Sequence, residues 1–220
     1  MKAYVKRNKN DAADAAAIGE AVKRPSMRFV PVKTAEQQSV LIMHRARDLL
    51  IRQRTMLVNA LRGHLAEFGL IEAQGLPKVA GLIAIVTDDA DERLSDMARQ
   101  VLKVVAGQLV ELQARIVTLE TQVLAWHKSN PTSQRLASVP GIGPIIATAI
   151  AATVPDPTVF SSGREFAAWL GLVPRQNSTG GKTRLGGISK RGDSYLRRLL
   201  VAVAHTRHCC APRRPKPTRG

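Results

Sequence analysis

Aromatic side chains are scarce in this sequence, at 4% of residues. That disfavours a β-sandwich and points to helical packing of Ala, Leu and Val. Cysteine is nearly absent, and the two present, Cys209 and Cys210, are adjacent. Neighbouring cysteines do not readily meet disulfide geometry, so no staple is expected and a reducing, cytoplasmic compartment is the default. No apolar run approaches the ~18 residues that a bilayer span requires. No apolar core follows the N-terminal Lys and Arg residues either, so neither a signal peptide nor a membrane partner is expected. The five histidines, at positions 44, 64, 127, 205 and 208, have no zinc-ligand or catalytic-triad spacing. Surface or partly buried neutral roles are expected for all of them.

Acidic residues are also missing where basic ones collect. Residues 131–220 hold 14 Lys/Arg against 3 Asp/Glu, whereas residues 1–130 hold 19 against 14. The net charge of +16 and pI near 10.9 point to a polyanionic partner, and to the last two-fifths of the chain as the part that meets it.

At 220 residues there is room for one or two compact domains. Residues 10–23 read as a short Ala-rich helix stopped by Arg24-Pro25. Arg28–Lys33 reads as a strand or extended connector. Thr34, with Gln37 at the third helical position, is a capping box for a helix to about Phe68. Its apolar positions are Leu50, Leu57, Leu61, Leu65 and Phe68, and Gly69, Gly75 and Pro77 end it. From about Asp91 to His127, the residues Ala98, Leu102, Val105, Leu109, Leu112, Ile116, Leu119, Val123 and Trp126 alternate in steps of four and three. This is an a/d seam on a helix ~50 Å long. Such a seam needs a cover: either the 34–68 helix folded back or a second copy of the chain. The acidic run Asp88, Asp89, Asp91, Glu92 and Asp96 reads as the solvated start of this helix. Beyond Asn130-Pro131, helices are expected over 133–139 and 145–153, from a cap at Ser161 or Ser162 through Leu170, and over 194–205, with Asp193 as N-cap of the last. The segment from Cys209 onward has no periodicity and reads as disordered.

Two stretches carry nucleic-acid chemistry. In Leu136-Ala-Ser-Val-Pro-Gly-Ile-Gly-Pro-Ile-Ile, Gly141 and Gly143 permit a tight helix–hairpin–helix turn that offers backbone N–H groups to a phosphate. Ile142 would plug the turn, and Ala147 and Ala149 would allow close helix approach. A purely structural αα-turn is the alternative. The loop 175–193 sets the hydroxyls of Ser178 and Thr179 beside two glycines, with Lys182, Arg184, Lys190 and Arg191 close behind. Clustered cations neutralise a phosphodiester and stabilise its leaving oxygen, although spacing alone supports no more than a phosphate-binding loop. Asp11 and Asp14 stand one turn apart, ~5–6 Å between Cβ atoms, a spacing that suits Mg²⁺. An acidic first turn answering the helix dipole is the local alternative.

Together, Lys9-Asn-Asp-Ala-Ala-Asp-Ala15, Arg52-Gln-Arg-Thr55, Glu67-Phe-Gly69, the Pro-Gly-Ile-Gly-Pro turn and Gly171-Leu-Val-Pro-Arg-Gln-Asn-Ser-Thr-Gly-Gly-Lys182 resemble the transposases of insertion-sequence family 110, especially its 1111 subgroup. The resemblance covers about residues 1–205. It implies a mainly α chain: a remnant of a RuvC-like α/β DEDD domain over 1–33, a helical coiled-coil connector over 34–130, and a C-terminal transposase domain over 131–207. A basic tail, 208–220, would follow. It further implies DNA recombination guided by a structured RNA, homo-oligomers formed through the coiled coil, and Mg²⁺ held by Asp11 and Asp14. Ser178 would be the nucleophile, with Thr179 the lesser alternative. Lys182, Arg184, Lys190, Arg191, Arg197 and Arg198 would contact phosphates. The family's first Asp and its Glu belong upstream of Asp11, and helices usually follow Leu-Arg-Arg-Leu-Leu. The expectation is therefore a chain shortened at both ends, with an incomplete metal site and weak or absent strand transfer. The competing readings are a non-catalytic DNA- or RNA-binding helix–hairpin–helix protein and a coiled-coil assembly protein.

Overall fold

The structure is a computed structural model that describes residues 11–25, 31–177, 179–182 and 184–210, with side chains to His205. The described residues are mainly α-helical, as expected, with a single two-stranded ribbon. They fall into two compact units, residues 1–32 and 33–220. None of the described helices is long and apolar enough to cross a membrane.

In the first unit, α1 spans Asp11–Lys23, with Asp11 and Asp14 in its first turn and Lys23 in its last. Both ends thus carry the charge that the helix dipole favours. Half of the expected strand or connector at 28–33 lies outside the described residues, and the half that is described, from Pro31, has no regular structure.

The second unit is built on an antiparallel pair of long helices, α2 (Ala35–Ala66) and α4 (Asp96–Ser129). The capping box forms as read: the Thr34 hydroxyl accepts from the Gln37 amide at 3.1 Å, and Gln37 Oε1 accepts from the Thr34 amide at 3.0 Å. Gly69, at φ 73°, turns the chain out of α2. The partner that α4 needs is α2 of the same chain. Trp126 donates to Glu36, Arg47 pairs with Glu120 at 2.5 Å, and Arg54 donates to Gln113, in the order an antiparallel pair requires. Along α4 the seam buries Leu102, Leu109, Leu112, Ile116 and Val123 as expected, and Ala106 beside them. Leu61 and Leu65 of α2 are sealed, whereas Phe68 is 42% exposed and is not core.

One reading needs correction here. The acidic run does not begin the long helix: Asp88, Asp89, Asp91 and Glu92 precede α4, and only Asp96 lies in it. These residues form a connection closed by buried Arg99, whose guanidinium donates to the carbonyls of Ile85, Asp88 and Asp91. A buried guanidinium needs such acceptors, and the last carbonyls of a helix supply them. That helix, α3 (Val79–Thr87), lies between α2 and α4, and it buries Val79, Leu82 and Val86 against them.

After α4, Asn130 caps α5 (Pro131–Ala137), accepting from the Ser133 amide at 2.8 Å. A six-residue turn leads into α6 (Pro144–Thr153), where every residue from Ile146 to Thr153 is buried. Helices α2, α4, α5 and α8 (Ser194–Cys210) all pack on α6. Ala147, Ala149 and Ala152 have no exposed surface, and small side chains are what permit such close approach. α8 continues through His208, Cys209 and Cys210, where a non-periodic tail was expected. Residues 211–220 of that expected tail lie outside the described residues.

Three of these helices meet at His44, which is fully buried on α2. Its Nε2 lies 3.0 Å from the Thr148 hydroxyl of α6, and its Nδ1 lies 3.1 Å from the Tyr195 hydroxyl of α8. Thr148 donates to the Pro144 carbonyl at 2.8 Å, so it accepts from Nε2–H, and Tyr195 donates to Nδ1. Burial, reinforced by Arg47, lowers the His44 pKa to about 4. Burial likewise raises that of Tyr195 and keeps its proton in place. A lowered histidine pKa means that the unfolded chain binds the extra proton first. Stability should therefore be complete above pH ~6.5 and fall by up to about 3 kcal/mol as pH drops toward about 4. Urea midpoints across that range should slope in the native chain and lose this component in His44→Leu. Equal slopes would sink the assignment.

Candidate nucleic-acid interface

The turn between α5 and α6 takes the conformation that its glycines allow. Gly141 has φ 92°, and the Ile142 amide donates to the Val139 carbonyl at 2.9 Å. Ile142 packs inward beside Leu136 and Ile146, while Val139 stays 47% exposed. Gly143 is the N-cap of α6 and offers no side chain to its first amides. A Cβ there would meet nothing within 4 Å, so the space beside the turn is open.

The stretch expected as an irregular loop is largely a β-ribbon. β1 (Pro174–Gln176) pairs antiparallel with β2 (Leu185–Ile188), Pro174 opposite Ile188 and Gln176 opposite Leu185, with an irregularity between. Beyond β1, the Asn177 amide donates to the Arg184 carbonyl at 2.8 Å, and Thr179 bridges Lys182. The tip is Gly180-Gly181 at φ 57° and 75°, two consecutive left-handed residues as a type I′ hairpin turn demands. A Gly-Gly pair between equal arms was the available signal. It was masked because the arms are cationic and polar instead of alternately apolar.

The base of the ribbon is clamped to α7 (Gly163–Trp169), which Ser162 caps as expected. The Lys190 amide donates to the Gly171 carbonyl at 3.1 Å, and the Ser189 amide to the Val173 carbonyl at 2.9 Å. Here the backbones nearly touch. A Cβ on Gly192 would stand 2.1 Å from the Trp169 carbonyl oxygen, and one on Gly171 would stand 2.6 Å from the Arg191 nitrogen. Beyond the clamp, Asp193 accepts from the Leu196 amide at 2.9 Å and starts α8.

The cations named from sequence divide into two groups. Lys182 and Arg184 near the ribbon tip, and Lys190 and Arg191 at its base, have exposed side chains. Arg197 and Arg198 are engaged within the fold. Arg197 donates to the carbonyls of Leu170 and Gly192 at 3.0 and 3.2 Å. Arg198 pairs with Asp48 of α2 at 2.9 Å and lies 5.8 Å over the Tyr195 ring. Arg175, which sequence reasoning did not single out, adds an exposed cation on β1. Ser178 lies outside the described residues; its chain neighbour Thr179 is exposed beside the tip. Asp11 and Asp14 are both exposed on the first turn of α1. As hard oxygen donors one turn apart they fit two positions of a Mg²⁺ shell, which commonly takes one or two carboxylates plus substrate phosphates and water. No third His, Cys, Asp or Glu joins them into a ligand cluster among the described residues. Of the histidines whose side chains are described, His64 and His205 are exposed, His127 is half-buried against Ser133, and only His44 is sealed.

Comparison with known proteins locates this surface. The pattern of the Transposase IS116/IS110/IS902 family matches residues 133–217, which include the turn, the ribbon and α8. A second pattern, for DEDD transposases of the IS110 type, matches residues 1–69. The chain is 51% identical over 213 residues to a probable family 20 transposase of Pseudomonas aeruginosa, covering 96% of this chain and 63% of that protein. It is 46% identical over 203 residues to a putative transposase of Sinorhizobium fredii, covering 92% and 52%. To the transposase for insertion sequence element IS1111A of Coxiella burnetii it is 41% identical over 210 residues, covering 94% and 58%. The chain therefore spans between 52% and 63% of the length of these relatives.

The clamp yields a sharp contrast between glycines. Gly192→Ala should cost about 2–3 kcal/mol or more, because backbone must move to admit the methyl group. Gly187→Ala, on β2 with open space around it, should change stability by about 0.5 kcal/mol or less. Urea denaturation of both variants checks this, and equal midpoints would overturn it.

Proposed function

We propose that this chain, which matches the patterns of the IS116/IS110/IS902 transposase family over residues 133–217 and of IS110-type DEDD transposases over residues 1–69, acts on DNA as an insertion-sequence transposase, with the hydroxyl of Ser178 as the attacking group. The observation that carries this reading is the ribbon 174–188. It presents Lys182 and Arg184 near a hairpin tip, continues into Lys190 and Arg191, and lies wholly within the matched segment. Four exposed cations around one hydroxyl-bearing stretch suit a phosphodiester better than any neutral substrate.

In the step proposed, the Ser178 oxygen attacks phosphorus and one P–O ester bond of the DNA strand breaks. The seryl proton passes to solvent, and the leaving strand oxygen takes up a proton, so a phosphoserine ester joins protein and DNA. Lys182 and Arg184 neutralise the phosphate under attack, while Lys190 and Arg191 hold backbone on either side. The open turn at Gly141 and Gly143 grips a further phosphate through amides and reads no sequence. Asp11 and Asp14 would hold Mg²⁺, which when bound supplies Lewis-acid stabilisation of charge on phosphate oxygens. Guidance by a structured RNA and assembly of copies complete the reading, both resting on the family resemblance; since the α4 seam is covered by α2 of the same chain, copies would meet through other surfaces.

Binding to duplex DNA should be strongly salt-dependent. If four phosphates are neutralised, a fourfold rise in salt should lower affinity by about two orders of magnitude. Lys182→Ala with Arg184→Ala should reduce the log–log slope by about two. A flat salt response of the native chain would overturn the nucleic-acid reading altogether. The chemistry is tested separately, by trapping a covalent protein–DNA adduct that vanishes in Ser178→Ala. Salt-sensitive binding without any adduct would leave a backbone-binding protein in place of a recombinase.

A further inference from the structure

The first turn of α8 is fastened on several sides. Asp193 caps it, Tyr195 bonds His44 of α2, Leu196 is fully buried, and Arg198 pairs with Asp48. Between these, Arg197 faces the ribbon base. Its Nη1 donates to the Leu170 carbonyl at the end of α7 and to the Gly192 carbonyl where the ribbon leaves. A single guanidinium nitrogen thus joins the two backbone segments that the glycines bring together. A Cβ on Gly171 would stand 3.1 Å from that same nitrogen.

We propose that Arg197 is a positioning residue: its guanidinium locks the ribbon base onto the C-terminus of α7 and so holds the cationic hairpin in place for DNA. This rests on the reading of Ser178 given above, but the physical claim concerns the ribbon alone. The role follows from geometry. A two-stranded ribbon with exposed faces has little burial of its own to hold it. Its orientation therefore depends on the few bonds at its base, namely Lys190 to Gly171, Ser189 to Val173, and Arg197 across both segments. The Nη1 of a guanidinium carries two N–H donors, one for each carbonyl, and its positive charge sits favourably at the C-terminus of a helix. As a cation engaged by these carbonyls, Arg197 differs in kind from exposed Arg191.

The experiment compares the native chain with Arg197→Ala, Arg197→Lys and Arg191→Ala, each in the full 220 residues. Three readings are taken: amide hydrogen exchange, the salt slope of DNA affinity, and the rate of Ser178-dependent adduct formation at saturating DNA. For Arg197→Ala, exchange at Ser189 and Lys190 should accelerate about tenfold or more while α2 and α4 keep their protection. The adduct rate at saturation should fall about tenfold, with the salt slope unchanged. Arg197→Lys should recover part of both losses. Arg191→Ala should do the reverse, lowering the salt slope by about one and leaving exchange alone.

A lowered salt slope with native ribbon exchange in Arg197→Ala would make Arg197 a phosphate contact and overturn the proposal. Uniform acceleration across α2 and α4 in both Arg197 variants would make it a general fold residue and overturn it equally. Should the native chain form no Ser178 adduct, the nucleophile reading fails, and exchange at Ser189 and Lys190 still decides the role of Arg197.

Discussion

A neutral histidine sealed among three helices sets the geometry on which the basic surface rests. His44 has one ring nitrogen on Thr148 of α6 and the other on Tyr195 of α8. An imidazole can serve both partners only by donating at one nitrogen and accepting at the other, which the neutral form does. The arrangement fixes α8 relative to the long pair α2 and α4, and α8 in turn anchors the ribbon. Helix α6 carries the turn at Gly141–Gly143 at its N-terminus. Both candidate phosphate-binding features therefore hang from one hydrogen-bonded junction. Its cost is low because every polar atom in it has a partner.

Around this junction the chain divides its cations by function. Arg47 pairs with Glu120, Arg198 pairs with Asp48, and Arg99 and Arg197 close carbonyl ends of helices. These guanidiniums tie elements together. Lys182, Arg184, Lys190 and Arg191, by contrast, extend from a thin ribbon toward solvent. A positive field over an open hairpin attracts a polyanion at long range and releases its counterions on contact. The high net charge of the C-terminal part is thus only partly available to a partner.

Much of the scaffold was legible because it depends on local rules. The Thr34–Gln37 box, the Ser162 and Asp193 caps and the seam of α4 all follow from spacing within one segment. Helix α3 was missed because a nine-residue apolar run between glycine and acidic turns has too few turns for periodicity to stand out. The ribbon was missed because its arms have no apolar alternation, and its pairing rests on backbone bonds and the Gly180-Gly181 tip. His44 looked unremarkable because its partners lie 104 and 151 positions away.

By itself, the amino-acid sequence determined the family resemblance, the helical character, the caps and the hydroxyl-and-cation stretch, since each is a matter of residue type at short range. Only the tertiary structure decided that α4 is covered by α2 of its own chain, that Arg197 binds inward, and that Arg198, though exposed, pairs with Asp48 while its neighbours reach out. Both outcomes depend on which distant backbone carbonyl or carboxylate arrives within about 3 Å of a side chain, and hydrogen bonds reach no farther than that. No count of charges along a chain contains that distance.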